Sequence, residues 1–249
     1  MIVADMEVKT ATPRWRFWAV LILLPAAFAV LLALGTWQVQ RLAWKEGLLA
    51  AIEQRSHAEP VSIEEIETAH AAGEPIEYRT AYATGRYLND SERHFFATFN
   101  GQTGYYVYTP MQIDDGRYLF VNRGFVPYDL KEPETRPESL LEGQQQVTGL
   151  ARERLSERPS VMVPDNDEAA NIFYWKDLDR MAATAGLPAE DLLPFFLDAD
   201  ATPVAGGLPR GGVTVIDLPN SHLQYAVTWY GLALALLGVS VFAWWKRKS

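Results

Sequence analysis

Histidine is the residue type in this chain best suited to bind a metal or a cofactor iron, because the sequence contains no cysteine. The histidines are His57, His70, His94 and His222. No two of them have the HxxxH or HExxH spacing that puts two ligands on one helix face, so a preformed zinc or mononuclear iron site has no local support. The absence of cysteine also excludes disulfide scaffolds, CxxC redox chemistry and covalent c-type haem attachment.

Motifs of enzymatic catalysis are missing from the sequence as well. It contains no GxSxG nucleophile motif, no P-loop and no GxGxxG after a predicted strand. The glycine-rich segment 206–212 lacks the lysine and the following helix of a phosphate cradle, so it is predicted to be a loop. The five methionines are scattered, which argues against a copper(I) site. The sequence therefore favours a protein that is not an enzyme.

One histidine is distinguished by its position. His222 lies between the last predicted strand and a long apolar stretch, in the segment Pro219–Tyr225. Neutral imidazole is a good axial ligand for haem iron, and a pocket between two membrane helices can bury an amphipathic macrocycle. The alternative is that His222 caps the helix or contacts lipid headgroups. Spacing alone leaves both interpretations open.

Two apolar stretches predict the helices that position this histidine. Residues 17–37 and 225–245 contain no charged side chain, and at 1.5 Å per residue each would span about 31 Å, the thickness of the bilayer hydrocarbon. Tryptophans near both ends of each stretch are typical of the membrane interface. A cleaved signal peptide is the alternative for the first stretch, although its apolar run is longer than an ordinary signal core.

Positive charges near the chain ends predict the orientation. Lys9, Arg14 and Arg16 precede the first stretch, and Lys246, Arg247 and Lys248 follow the second. By the positive-inside rule both termini are cytoplasmic, and the acidic segment between the helices is periplasmic, in a bacterial inner membrane. The predicted boundaries are a cytoplasmic N-terminus 1–16, transmembrane helix 17–38, a periplasmic β-rich domain 39–224, transmembrane helix 225–245 and a cytoplasmic C-terminus 246–249.

Composition is that of a folded protein. The 249 residues are 49% hydrophobic and 21% charged, which excludes a disordered or coiled-coil chain. The formal net charge of −9 argues against nucleic-acid binding. The predicted environment is a lipid bilayer, and no nucleic-acid partner is expected.

Between the apolar stretches the hydrophobic period changes from helical to strand-like. The first helix is predicted to continue to about Arg55, the capping box Ser62–Glu65 to open a short helix, and Asp177–Ala185 to form another. The predicted strands are Tyr78–Tyr87, His94–Phe99, Tyr105–Thr109, Tyr118–Asn122, Gln145–Ala151, Ile172–Trp175, Phe195–Leu197 and Val213–Leu218. The pattern predicts an α+β membrane protein in which two transmembrane helices flank a mainly antiparallel β barrel- or sandwich-like domain with a few short helices.

Two surface features complete the prediction. Residues 127–143 are rich in proline and glutamate and are predicted to form an exposed, partly mobile loop. Small residues line one side of each apolar stretch, at Ala29 and Ala33 and at Gly231, Ala235 and Gly238. Packing of the two helices against each other is the favoured interpretation, a surface for a partner helix is the alternative, and both can hold at once.

Three separate segments resemble the Surfeit locus protein 1 family. They read GTWQVQRLAWK at 35–45, VNRGFVP at 121–127 and PNSHLQYAVTWYGLA at 219–233. The resemblance runs in order from about Arg14 to Trp244. Ser221 replaces the more usual second asparagine of the third segment, and this departure leaves His222 untouched.

Members of that family are assembly factors for haem-copper terminal oxidases, chiefly cytochrome c oxidase. The resemblance implies that this chain binds haem a and assists its insertion into the large oxidase subunit. It implies that His222 ligates the iron, which makes it the expected cofactor-binding and metal-binding residue. It also implies two kinds of partner, namely the large subunit of a haem-copper oxidase and other oxidase assembly factors.

Haem propionates would need cationic partners near the helix ends. Arg123, Arg41 and Lys45 are the candidates, with a solvated or headgroup-facing charge as the alternative for each. A second hypothesis needs no cofactor and describes a scaffold or chaperone that holds an oxidase subunit during assembly. Haem that copurifies with the protein would distinguish the two hypotheses.

Overall fold

The computed structural model of the chain describes residues 14–214, 216 and 220–248. Its helices are α1 (Arg14–Ser56), α2 (Ile63–Ala71), α3 (Leu178–Thr184) and α4 (His222–Lys248). Its strands are β1 (Val61–Ser62), β2 (Thr80–Tyr87), β3 (Arg93–Phe99), β4 (Gln102–Ile113), β5 (Tyr118–Pro127), β6 (Gln145–Glu153), β7 (Ile172–Phe173) and β8 (Leu192–Ala199). The chain forms two compact units: the described residues up to Leu49 together with 220–248, and Ala50–Ile216.

The first unit contains two helices that are long and apolar enough to cross a membrane. The apolar parts are Leu21–Ser56 of α1 and His222–Lys246 of α4. Most of their large apolar side chains are exposed; Leu234, for example, keeps 72% of its surface accessible. Pro25 lies inside α1 and does not end it. The predicted extension of the first helix to about Arg55 is confirmed.

Five strands of the second unit close into a barrel. Strand β2 pairs with β6, β6 with β8, β8 with β5, and β5 with β4, and all of these pairs are antiparallel except the parallel β5–β8 pair. Residues Gly85–Tyr87 of β2 then pair with Met111–Ile113 of β4, which completes the ring. Strands β3 and β7 extend the sheet beyond β4. The predicted mainly antiparallel, barrel-like domain with few helices is confirmed.

The core lies inside this barrel and is closed by α2. Alternate residues of the strands point inward, among them Ala81, Val121 and Leu197, and Ile66 of α2 packs against the same cluster. Ser62 caps the start of α2, since its hydroxyl accepts a hydrogen bond from the Glu65 amide. The intervening residues of β5 and β8 point to the other face, where α3 covers them.

Several strands differ in length from the prediction: β6 ends two residues later and β7 two residues earlier than predicted, and β4, β5 and β8 are much longer. Strands β4, β5 and β8 extend by several residues because both of their faces are largely buried, so the alternation used to find them disappears. The predicted strand Val213–Leu218 falls partly outside the described residues, and Val213 and Thr214 do not form a strand.

Candidate cofactor-binding site

His222 begins α4 and forms a hydrogen bond to a side chain of α1. Its Nδ1 atom lies 2.8 Å from Oε1 of Gln38. Gln38 is 8% exposed, whereas the imidazole of His222 is half-buried. A buried amide on one helix therefore fixes the orientation of the imidazole on the other. Sequence reasoning singled out His222 and missed Gln38, although Gln38 is a polar residue immediately after the first uncharged stretch.

The Gln38 contact also determines which imidazole nitrogen is available to a ligand. An amide oxygen only accepts hydrogen bonds, so Nδ1 of His222 is the donor in this contact, and in the neutral imidazole the lone pair is then on Nε2. In the part of the chain that the structure describes, Nε2 has no hydrogen-bond partner. Histidines that ligate metals commonly donate their other ring N–H to an oxygen in this way. The arrangement therefore fits the coordination of one iron ion by Nε2.

A close helix–helix contact holds this pair together. The Thr36 hydroxyl lies 3.0 Å from the Tyr230 hydroxyl. A Cβ atom at Gly35 would lie only 2.8 Å from the Tyr230 ring, so glycine leaves room for the ring at this position. On α4, Ala226 and Ala233 are each 2% exposed and lie on the same side of the helix as His222 and Tyr230. Small residues thus bring the two helices close enough for the Gln38–His222 bond.

The predicted small-residue stripes are not part of this contact. Gly231, Ala235 and Gly238 are exposed on α4, as are Ala29 and Ala33 on α1. A Cβ atom at Gly231 or Gly238 would meet nothing within 4 Å. The interpretation of these residues as the intramolecular packing surface is therefore wrong. Small residues at this spacing can form a packing face. In this structure, however, the two helices meet on a different face, which contains Gly35 and Tyr230.

The three candidate cations for a propionate have different surroundings. Arg123 is 3% exposed and donates hydrogen bonds to the Ser139 carbonyl oxygen and to Glu92, so its proposed pairing with a propionate is wrong. Arg41 is exposed and its guanidinium lies 3.8 Å from the centroid of the Trp44 ring. Lys45 is half-buried on the same helix. For Arg41 and Lys45 the pairing remains a prediction.

The second of the three segments that resemble the family, VNRGFVP at 121–127, is structural in this fold. Asn122 donates to Oδ1 of Asp198 at 3.1 Å and accepts from the Gly124 amide at 3.1 Å. Gly124 has a φ of 121° and lies against the backbone of Arg210, where any Cβ atom would be 2.0 Å from the carbonyl oxygen. The segment therefore shapes β5 and holds two neighbouring chain segments to it.

A buried charge cluster is centred on Glu92. Its carboxylate accepts hydrogen bonds from Arg136 and Arg123, and its Oε2 lies 3.8 Å from Nε2 of His94. Burial lowers the pKa of the Arg123 guanidinium, and the nearby Glu92 carboxylate opposes this effect. Burial, together with the positive charges of Lys131, Arg136 and Arg93, lowers the pKa of His94 to about 3. His94 is therefore neutral at physiological pH.

The same cluster corrects the prediction for residues 127–143. Arg136 is 5% exposed and Ser139 is 1% exposed, so this proline-rich segment is not exposed throughout. Arg136 donates to Glu92 and to the Ser139 hydroxyl, and Arg123 donates to the Ser139 carbonyl oxygen. The segment is fastened to the barrel by charges that are distant in sequence. The composition of residues 127–143 alone does not reveal these partners, because they lie elsewhere in the sequence.

The described residues offer no metal site made of several side chains. Within 14–214, 216 and 220–248, no group of three or more histidine, aspartate or glutamate side chains is placed to hold a metal ion. The remaining histidines, His57 and His70, are engaged locally: His57 bonds to the Glu53 carbonyl oxygen, and His70 packs edge-on against Phe195. His222 is the histidine whose surroundings fit a ligand.

Comparison with known proteins gives matches over most of the chain. The family model described as the SURF1 family matches residues 26–234. The chain is 35% identical to Surfeit locus protein 1 of Homo sapiens over 244 residues, which cover 92% of this chain and 76% of that protein. It is 36% identical to Surfeit locus protein 1 of Takifugu rubripes, with coverages of 86% and 91%. It is 34% identical to a SURF1-like protein of Monosiga brevicollis, with coverages of 94% and 88%.

Proposed function

The chain belongs to the SURF1 family, known as cytochrome oxidase assembly factors, and we propose that it binds haem a through His222. In this proposal it assists the insertion of haem a into the large subunit of a haem-copper oxidase. The role is non-catalytic: the chain holds and releases a cofactor, in contact with that subunit and with other assembly factors. The observation that carries the proposal is the hydrogen bond from His222 to Gln38, which leaves Nε2 available.

Each residue of the site would have a separate role in binding haem. His222 would hold the iron through Nε2, and Gln38 would keep the ring in one tautomer and one orientation. Bound haem a would supply an iron centre that accepts one imidazole, and a large apolar ring. Arg41 would pair with a propionate through its exposed guanidinium. One strong ligand in an open site suits a carrier, because the cofactor must leave again.

The proposal includes a membrane location. The apolar side chains on α1 and α4 are exposed in numbers that are unusual for a protein surface in water, for example Ile22 at 66%, Leu234 at 72% and Val239 at 68%. Lipid contact would account for this exposure. In the proposed topology both termini are cytoplasmic and the barrel is periplasmic, in a bacterial inner membrane.

A direct experiment separates a carrier from a cofactor-free scaffold. The full chain is produced in a host that makes haem a, purified in nanodiscs, and its haem content is measured by absorbance and by pyridine haemochrome. We expect haem in the wild-type protein and its loss in His222→Ala. The matched control is His57→Ala, which removes an exposed histidine of the other unit and should leave haem content unchanged.

Two results would overturn the proposal. Haem that binds to His222→Ala with an unaltered spectrum and stoichiometry would remove His222 as the ligand. A wild-type protein that contains no haem would favour the scaffold. The exposed stripe of Gly231, Ala235 and Gly238 is of the kind that packs against a partner helix, and it would then be the first surface to test.

A further inference from the structure

A cleft on the β-rich unit has features of a ligand site and is not used by the proposed function. It consists of two cavities of about 210 and 500 Å³ that share Arg152 and Lys176 as lining residues. Together their volume falls within the range of about 300–1,000 Å³ that is typical of small-molecule sites. One cavity has polar walls that include Asn122, Asp198 and Thr214.

Lys176 has no direct counter-ion in this cleft. The other two lining cations are paired: Arg152 with Glu77 and Asp198, each at 2.9 Å, and Arg154 with Asp179. Within the described residues, Nζ of Lys176 forms neither a hydrogen bond nor an ion pair. Nζ lies over the ring of Tyr108, 5.4 Å from its centroid. An ammonium group has three N–H donors, and one held in this way lacks the acceptors that would offset its loss of water.

Two further observations indicate that this region is short of polar partners. The hydroxyl of Tyr108 is fully buried and has no hydrogen-bond partner in the described part of the chain. Burial lowers the pKa of Lys176, and the carboxylate of Asp198 opposes this effect without contacting the ammonium. The Asp198 carboxylate is already occupied, since it accepts hydrogen bonds from Asn122, Arg152 and Thr214. The anionic group of a bound ligand would supply the hydrogen-bond acceptor that the ammonium group of Lys176 lacks.

The larger cavity supplies an apolar wall beside this charge. Phe95, Leu155, Pro159, Tyr174 and Trp175 line it. Leu155 is 39% exposed, so a ligand would remove apolar surface from water. Glu77, Glu153 and Arg154 complete the lining, and Arg152 holds the Glu77 carboxylate in place. The cleft thus combines one unpaired cation with an aromatic and aliphatic surface.

We propose that this cleft binds a small amphipathic carboxylate, with its anionic group on Lys176 and its apolar body against Phe95, Leu155 and Tyr174. The carboxylate accepts hydrogen bonds from the ammonium group, and the apolar body covers the exposed wall. Recognition requires both parts, since the charge or the apolar surface alone gives too few contacts. The site belongs to the chain's own β-rich unit and is independent of haem binding by His222.

The test uses 4-phenylbutyrate as the probe and the full chain in nanodiscs. Saturation-transfer NMR titration is expected to give saturable binding in the millimolar range, as is usual for a ligand of about a dozen non-hydrogen atoms. Lys176→Met keeps the apolar stem and removes the charge, and it should weaken binding by about tenfold or more. Lys176→Arg keeps the charge and should retain affinity within about threefold. Acetate and 4-phenylbutanol, each with half of the ligand's features, should bind at least about tenfold more weakly than the probe.

Arg210→Met is the matched control, because it removes an exposed cation that does not line the cleft. This variant should bind the probe as the wild-type protein does. Equal binding by Lys176→Met and wild type would overturn the proposal, and so would a wild-type signal no larger than that of empty nanodiscs. Circular dichroism of each variant checks that the barrel is intact, and loss of binding in a folded Lys176→Met together with retained binding in Lys176→Arg supports the site.

Discussion

Nδ1 of His222 and Oε1 of Gln38 lie 2.8 Å apart although 184 positions separate the two residues in the chain. The contact joins the first residue of α4 to a buried position of α1. With the Gln38 oxygen as acceptor, Nδ1 is the donor, and a neutral imidazole then has its lone pair on Nε2. The arrangement is the one in which a histidine ligand is oriented by a hydrogen bond through its other nitrogen.

Loss of the Gln38 amide should change the tautomer that His222 adopts. In Gln38→Leu, Nδ1 of His222 loses its acceptor, so we expect the ¹⁵N NMR signals of His222 to shift towards the Nε2–H form. If haem binds at His222, its affinity should fall by about 10- to 100-fold. The control Gln40→Leu removes an exposed amide two residues away and should change neither quantity. An unchanged tautomer in Gln38→Leu would contradict the orienting role of Gln38.

Gly35 should be intolerant of a side chain. A Cβ atom there would lie 2.8 Å from the Tyr230 ring, so Gly35→Ala displaces this ring and weakens the bond between Thr36 and Tyr230. We expect a loss of about 1–3 kcal/mol in the free energy of unfolding, measured as a lower thermal midpoint in nanodiscs. Gly47→Ala is the control on the same helix, where nothing lies within 4 Å, and it should be neutral or stabilising by up to about 1 kcal/mol. Equal effects of the two substitutions would refute the close contact.

Glu92 should be essential for the stability of the β-rich unit. Glu92→Gln leaves the buried guanidinium groups of Arg123 and Arg136 without their anion, which is expected to cost about 3–5 kcal/mol. Urea unfolding of the full chain measures this loss, and hydrogen exchange should become faster around Ser139. The exposed Glu134→Gln should stay within about 0.5 kcal/mol of the wild type. A stable Glu92→Gln protein with unchanged exchange would show that the cluster does not fasten the 127–143 segment.

Stability should decrease as the pH falls from about 6.5 towards 3 because of His94. The pKa of His94 is lowered from 6.5 in the unfolded chain to about 3 in the folded state. Between these values the unfolded state binds a proton that the folded state does not, so acid favours unfolding. At pH 5 this group should account for a loss of up to about 2 kcal/mol relative to pH 8.

Urea unfolding at several pH values tests the contribution of His94. His94→Gln should flatten the pH dependence below 6.5, whereas replacement of the exposed His57 by glutamine should leave the slope caused by His94 in place. If the slope persists unchanged in His94→Gln, its origin lies in another group.

The sequence predicted most elements correctly because their signals are local. The uncharged stretches defined the apolar parts of α1 and α4, and the capping residue Ser62 defined the start of α2. The alternation of apolar and polar residues predicted the bounds of β2, β3 and β6 to within two residues. It failed where both faces of a strand are buried, as in β5, because alternation then gives way to a continuous apolar run.

The candidate site was predicted only in part. His222 was recognised from its position and from family resemblance, and its ligation of haem iron stays a prediction. Arg123 was expected to be available for an anionic ligand, yet it is buried against Glu92 and Ser139. An arginine looks the same in a sequence whether its partner is a ligand or a carboxylate elsewhere in the chain. Lys176 gave no signal for the same reason.

What the sequence determined by itself was therefore the kind and order of the elements, and the position of His222 at the start of the last helix. Hydrophobic period and capping act over a few residues, so they can be read from the chain directly. The tertiary structure decided which groups meet: Gln38 with His222, Gly35 with Tyr230, Glu92 with Arg136, and β2 with β4 across the barrel. These pairs depend on the packing of residues distant in sequence, and only the folded chain brings their atoms within contact distance.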